Sequence, residues 1–189
     1  MIKNCRICDG SLFNLVTYEN MPKAAQNLPD QEHIRNGSDA GVDIKVCQCK
    51  ECGLIQLSNE PVDYYKEVIR ASAFSEEMRE FRVRQFEEFI QNHSLTNKTI
   101  IEIGTGKGEY LSLMKQFNID EYGIEYSEQS VNQCNDNGLN VLQGYIDDEN
   151  YKISNKLYDA FFILNFFEHM PDPNIVLKGL ANNLSEDAV

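Results

Sequence analysis

The chain has 189 residues, room for one domain or for a small domain followed by a medium one. Hydrophobic residues make up 42% and charged residues 25%, as in soluble globular chains. No apolar run approaches the roughly 20 residues that cross a bilayer, and Met1-Ile2-Lys3-Asn4-Cys5 lacks the apolar stretch of a secretory signal, so the expectation is a cytoplasmic protein with no membrane partner. A formal net charge of −13 repels phosphate backbones and argues against general nucleic-acid binding, while leaving a cationic ligand open.

The first 60 residues carry five of the six cysteines, turn dipeptides such as Asp9-Gly10 and Asn36-Gly37, and few apolar runs. A module this small and polar buries little core and needs a staple. Cys5 and Cys8 form one Cys-x-x-Cys pair, and Cys49 and Cys52 form a second after 40 intervening residues. Two such turns facing each other give tetrahedral sulfur coordination, the geometry of a structural zinc site. Gly10 and Gly53 follow the pairs and suit tight turns. Cys47 competes with Cys49 as a ligand, but only Cys49 repeats the spacing of the first pair. Cys134 falls in a helical pattern and reads as a buried small hydrophobe.

Residues 61–97 form a connector, in which 76–92 is an amphipathic helix with Met78, Phe81, Phe86, Phe89 and Ile90 on one broad face. Arg79, Arg82 and Arg84 on this helix are either a local basic patch or a solvated face.

From residue 98 strands and helices alternate. Thr99–Ile103 is a strand, 109–117 a helix, 122–125 a strand, and a helix capped by Ser127 runs to about Gly138. Leu139–Leu142 and Tyr158–Asn165 are two further strands. This alternation implies an α/β fold with a parallel sheet, a Rossmann-like domain over 98–189.

The first strand runs into Gly104-Thr105-Gly106-Lys107-Gly108, and Glu125 stands 21 residues after Gly104 at the end of the second strand. Glycines let backbone approach a ligand closely, and a carboxylate in that second position accepts ribose hydroxyls. A dinucleotide fingerprint wants its third glycine where Glu109 stands, and a carboxylate there repels a pyrophosphate. Gly-x-Gly-x-Gly with Glu102 before it suits S-adenosylmethionine better; a dinucleotide, or a loop with no ligand, are the alternatives. Candidate cofactor residues are Glu102, Gly104, Thr105, Gly106, Gly108, Glu125 and Tyr126, with Tyr145 and Ile146 beside the adenine and Asn165 at the end of the fourth strand.

Cys5-Arg6-Ile7-Cys8, Met21-Pro22, Asn27-Leu28-Pro29 and Cys49-x-x-Cys52-Gly53-Leu54-Ile55-Gln56-Leu57 resemble the zinc-binding module of the sugar C-methyltransferases, and residues 98–187 are similar to their class I methyltransferase domain. The resemblance implies transfer of a methyl group to carbon of a nucleotide-linked keto-deoxysugar or a similar small molecule, in sugar biosynthesis. It also implies substrate-facing roles for Asn165 and His169, which keep the family's four-residue spacing. Four residues apart on a helical turn share one face, so His169 is a candidate base for the proton next to the ketone and Asn165 a donor to the enolate oxygen. The family's substrate-facing Tyr has Tyr64 and Tyr65 near its place, and the family's Glu-His pair after a fifth strand has no counterpart before Val189. The chain is therefore expected to stop after the fourth strand, as an incomplete fragment of the enzyme. An O- or N-methyltransferase of another small substrate, and a non-catalytic zinc- and cofactor-binding fragment, are the rival readings.

Overall fold

The computed structural model of the chain describes residues 1–22, 41–62, 66 and 75–189, which leaves Asn27-Leu28-Pro29, Asn36-Gly37, Tyr64 and Tyr65 outside the described residues. The chain divides into two compact units, Met1–Val68 and Ile69–Val189.

The first unit is an antiparallel sheet in the order β1(Leu12–Met21), β2(Val42–Cys49), β3(Ile55–Leu57), which the sequence pattern had not announced. Among its described residues the buried apolar side chains are Cys5, Cys47 and Cys49. Sheet face residues such as Phe13, Tyr18, Ile55 and Leu57 are exposed instead. Buried Gln56 ties the N-terminal turn to β3: its Oε1 accepts from the Arg6 N–H at 2.9 Å, and its Nε2 donates to the Asn4 carbonyl at 3.4 Å.

The second unit begins its described part with α1(Glu76–Asn92), capped by Ser75, whose hydroxyl accepts from the Met78 N–H. Phe86 and Ile90 are buried and Phe89 half-buried, whereas Met78 and Phe81 are exposed, so the apolar face is narrower than the sequence pattern implies. This helix, expected in a connector, packs into the core of the unit with Ile100, Tyr110, Leu113 and Met114.

Four parallel strands follow in the spatial order β6(Val141–Gln143), β5(Asp120–Glu125), β4(Thr99–Ile103), β7(Ala160–Ile163). They alternate with α2(Glu109–Met114) and α3(Glu128–Asp136), and α4(Pro173–Ala181) comes last. The expected α/β fold with a parallel sheet is what the second unit has. Ser127 caps α3 as expected, and Gly138 takes a φ of +74° after its end, the left-handed conformation that glycine tolerates best.

The sheet steps from β4 to β5 to β6 in one direction, then returns to place β7 on the other side of β4. In open α/β sheets the carboxyl ends of strands that flank such a reversal form a crevice. The turn after β4 and the turn after β7 therefore meet at the carboxyl edge of the sheet.

At the opposite edge Asp159 joins the starts of β4 and β7. Its carboxylate accepts from the Thr99 N–H at 2.9 Å and pairs with Lys98 at 3.3 Å. The Thr99 amide first, then Lys98, hold the carboxyl below the ordinary range against partial burial. A depressed folded value means stabilisation that is present above the unfolded value, near pH 4, and drains away as pH falls through the folded one. Asp159→Asn should cost about 1 kcal/mol at pH 7, and urea unfolding between pH 7 and pH 2 should show a shallower acid loss than in the unsubstituted protein.

Candidate functional site

In the first unit the sulfurs of Cys5, Cys8, Cys49 and Cys52 lie within 4.8 Å of one another. Cys8 and Cys49 are 3.5 Å apart, and Cys5 and Cys52 are 3.6 Å apart. Zinc–sulfur bonds of about 2.3 Å set tetrahedron edges of about 3.8 Å, so the four sulfurs fit a zinc ion; a disulfide would need them near 2 Å. Cys47 stands outside this set, buried on the sheet with its sulfur 4.0 Å from Asn14 Oδ1.

The turns that bring the sulfurs together are explicit. Gly53 has φ +78°, and a Cβ on Gly10 would come within 2.9 Å of the Cys49 sulfur. Gly10 thus serves close approach, while the positive φ in that turn falls on Asp9, at +60°. The N–H groups of Cys52 and Glu51 point at the Cys49 sulfur at 3.5 and 3.4 Å. The Cys52 amide leads in holding the Cys49 thiol down to about 7, with burial opposing. At Cys8 the Gly10 amide favours the thiolate, yet the neighbouring Cys49 and Cys52 sulfurs push the thiol up to about 12. A metal ion between the four sulfurs would offset the mutual repulsion of their thiolates.

In the second unit the glycine turn leaves β4 with Gly104, Gly106 and Gly108 at φ +73°, +60° and +81°. Space is as restrictive as conformation. A Cβ on Gly104 would lie 2.5 Å from the Phe166 ring, and one on Gly108 would lie 2.4 Å from Leu139 Cδ1. Thr105 is buried beneath the turn, its hydroxyl donating to the Glu102 or the Ile124 carbonyl, and Gly123 on β5 leaves the space that its side chain fills.

Glu125 ends β5 and faces this turn. One carboxylate oxygen accepts from the Gly106 N–H at 2.8 Å and the other from the Ser127 N–H at 2.9 Å. A carboxylate has about four acceptor positions, so both oxygens are fixed while keeping capacity for two hydroxyls. Glu102 is fully buried in β4, one strand across from Gly123. Beside the turn a shallow cleft open to solvent is lined by Gly104, Ile124, Tyr126, Tyr145, Ile146 and Phe166, among others. The rings form a chain, Tyr126 to Tyr145 at 6.1 Å and Tyr145 to Phe166 at 6.2 Å, each edge to face. The structure thus brings Gly104, Thr105, Gly106, Glu125, Tyr126, Tyr145 and Ile146 to one place. Phe166, Ile124, Met170 and Val176 line the cleft although the sequence did not single them out; the only signal for Phe166 was its position after Asn165.

Asn165 and His169 also belong to the carboxyl edge, but not on one α-helical turn. Asn165 takes φ +54°, and a short 3-10 turn spans Phe167–His169. The left-handed residue reverses the chain at the end of β7 and sends Phe166 back over Gly104, so four-residue spacing does not here mean one helical face. Both side chains are exposed, and His169 Nε2 lies 3.9 Å from Glu168 Oε1.

Fold and site together define a doubly wound α/β domain with an apolar, aromatic-lined cleft at its topological switch point. Residues 84–184 match the family model described as "Methionine biosynthesis protein MetW", and the chain belongs to that family. No curated protein matches the chain. Among solved structures it is similar to the plantazolicin methyltransferase BpumL in complex with a pentazolic desmethylPZN analog and SAH, at 26% identity and TM-score 0.49, over 59% of this chain and 44% of that one. It is similar to Streptomyces venezuelae DesVI at 13% identity and TM-score 0.47, over 60% of this chain and 49% of that one. A further similar structure is an S-adenosylmethionine-dependent methyltransferase from Clostridium acetobutylicum ATCC 824, at 16% identity and TM-score 0.47, over 66% of this chain and 52% of that one. The chain spans less than half the length of the BpumL chains that it matches. Among the described residues no helix is long and apolar enough to cross a membrane.

Proposed function

We propose that the chain is the cofactor-binding part of an S-adenosylmethionine-dependent methyltransferase acting on a small molecule, preceded by a structural zinc module. One observation carries the cofactor reading. Glu125 is held by the Gly106 and Ser127 amides at the mouth of a turn whose three glycines have positive φ, so a carboxylate for ribose hydroxyls and a bare backbone surface lie side by side. Tyr145 and Ile146 line the apolar part of the cleft, where an adenine ring would pack. The acidic surroundings, Glu102, Glu109 and Glu125, favour a ligand bearing an ammonium and a sulfonium over a pyrophosphate. When bound, the cofactor would supply an electrophilic methyl group.

The acceptor we favour is a nucleotide-linked keto-deoxysugar methylated on carbon, on the strength of the paired N-terminal and glycine-loop motifs. A carbon next to a ketone becomes a nucleophile only when a base removes its proton. His169, exposed at the carboxyl edge, is our candidate for that base, and Asn165 for the hydrogen bond to the enolate oxygen.

Three measurements test this reading, each on the full-length protein. Calorimetry should show binding of S-adenosylhomocysteine, and Glu125→Ala should weaken it by about 1.5–3 kcal/mol, the range for hydrogen bonds to a charged group; unchanged affinity, or tighter binding of NAD, counts against the reading. Elemental analysis should find about one zinc per chain; Cys49→Ser should lose it and Cys47→Ser should keep it. Finally, with S-adenosylhomocysteine bound, a nucleotide-linked keto-deoxysugar should take up solvent deuterium next to its ketone. His169→Ala should slow that exchange by about 10²–10⁴-fold; exchange at the unsubstituted rate assigns the base elsewhere.

A further inference from the structure

Arg82 has a place in the second unit that its membership of a polar helix does not explain. Helix α1 ends at Asn92, and the chain reaches the start of β4 at Thr99, so α1 runs antiparallel to β4. The contacts of Phe86 with Phe162 of β7 at 5.4 Å and with Tyr110 of α2 at 6.5 Å hold it against the sheet. A helix climbs about 1.5 Å per residue and a strand about 3.3 Å. Ten residues of helix back from Asn92 therefore bring Arg82 level with the carboxyl end of the five-residue β4, where the glycine turn begins.

The side chain confirms this placement. The guanidinium carbon lies 5.1 Å from the centre of the Tyr110 ring, in the first turn of α2 and directly behind Gly108, and 5.7 Å from the Phe81 ring. Its Nη1 donates to Gln85, while Nε is buried with no hydrogen-bond partner. Leaving a buried donor unsatisfied is costly, and native structures keep few of them without reason. A guanidinium flattened on an aromatic ring presents its remaining N–H groups in a fixed fork that matches a carboxylate. The other arginines of α1 are placed differently: Arg79 pairs with Glu76 at 3.3 Å, and Arg84 is exposed.

Electrostatics supplies the need for this cation. The turn is bordered by Glu102, Glu109 and Glu125 in a chain of net charge −13. Any ligand group carrying negative charge at this edge requires local compensation. We propose that Arg82 binds an oxyanion at the carboxyl edge of the sheet, namely the α-carboxylate at the amino-acid end of the nucleoside cofactor. This rests on the cofactor reading above, and the two can be tested apart.

The test compares two ligands by calorimetry on the full-length protein: S-adenosylhomocysteine, which has the carboxylate, and 5′-methylthioadenosine, which has the same nucleoside and thioether without the amino-acid end. Arg82→Gln should weaken S-adenosylhomocysteine roughly tenfold to a hundredfold, the size of a charge-assisted hydrogen bond, and leave methylthioadenosine unchanged. Arg82→Lys, which keeps the charge but not the fork, should fall between, and Arg84→Gln should bind both ligands as the unsubstituted protein does. Loss of both ligands to the same degree in Arg82→Gln and Arg82→Lys would make Arg82 a packing residue and overturn the proposal. So would unchanged S-adenosylhomocysteine affinity in Arg82→Gln, while the nucleoside reading stood. If the unsubstituted protein binds neither ligand, the cofactor reading fails and this proposal fails with it.

Discussion

Strand β4 is hydrogen-bonded on both edges and covered on both faces, and the second unit is organised around that constraint. It pairs with β5 on one side and β7 on the other. Ile100, Ile101 and Ile103 are buried in two different clusters, Ile100 with α1 and α2, Ile101 and Ile103 with Met170, Val176 and Leu180. A strand enclosed in this way leaves its chain one exit, upward into the crevice between its neighbours. The turn that makes this exit has Phe166, Leu139 and Cys134 packed against its Cα atoms, so only glycine fits at Gly104 and Gly108. The bare backbone that a nucleoside could approach is thus a by-product of how tightly β4 is buried.

The first unit solves the opposite problem. Its described residues bury almost no aliphatic or aromatic side chains, and its sheet faces carry exposed Phe13, Tyr18, Ile55 and Leu57. What converges there is sulfur, supported by amides of Glu51 and Cys52 and by the reach of Gln56 across to Arg6 and Asn4. A zinc ion held by these sulfurs would contribute about 10–16 kcal/mol to folding, more than a core of this size supplies. With a metal bound, the two units would represent two routes to a fixed backbone, one through apolar burial and one through ligand convergence.

Charge links the fold to the chemistry proposed for it. Acidic side chains stand before the glycine turn, after it and across from it, while exposed Lys107 lies within it. On the reading proposed here such an edge would discriminate by sign, favouring ammonium and sulfonium groups where carboxylates gather and a carboxylate where a guanidinium meets it.

Much of this was legible in the sequence because the signals are local. Two equal Cys-x-x-Cys spacings, a glycine turn after an apolar run, an acidic residue one strand later and a Ser before a helix each encode short-range backbone geometry. Local signals also predicted which of Cys47 and Cys49 joins the sulfur cluster. The antiparallel sheet of the first unit was not legible, since many of its apolar residues, Phe13, Tyr18, Ile55 and Leu57 among them, are exposed and give no clean alternation. Nor was the route of the chain after β7: four-residue spacing implies a shared helical face only if the residues are helical, and the left-handed Asn165 decides otherwise. The half-buried state of Arg82, the cover of Gly104 by Phe166 and the anchoring of Glu125 by two amides all depend on residues distant in sequence. Sequence alone determined which chemical groups the protein carries and the turns that hold them. Tertiary structure decided which of those groups face one another, because that depends on strand order and close packing, which no local spacing encodes.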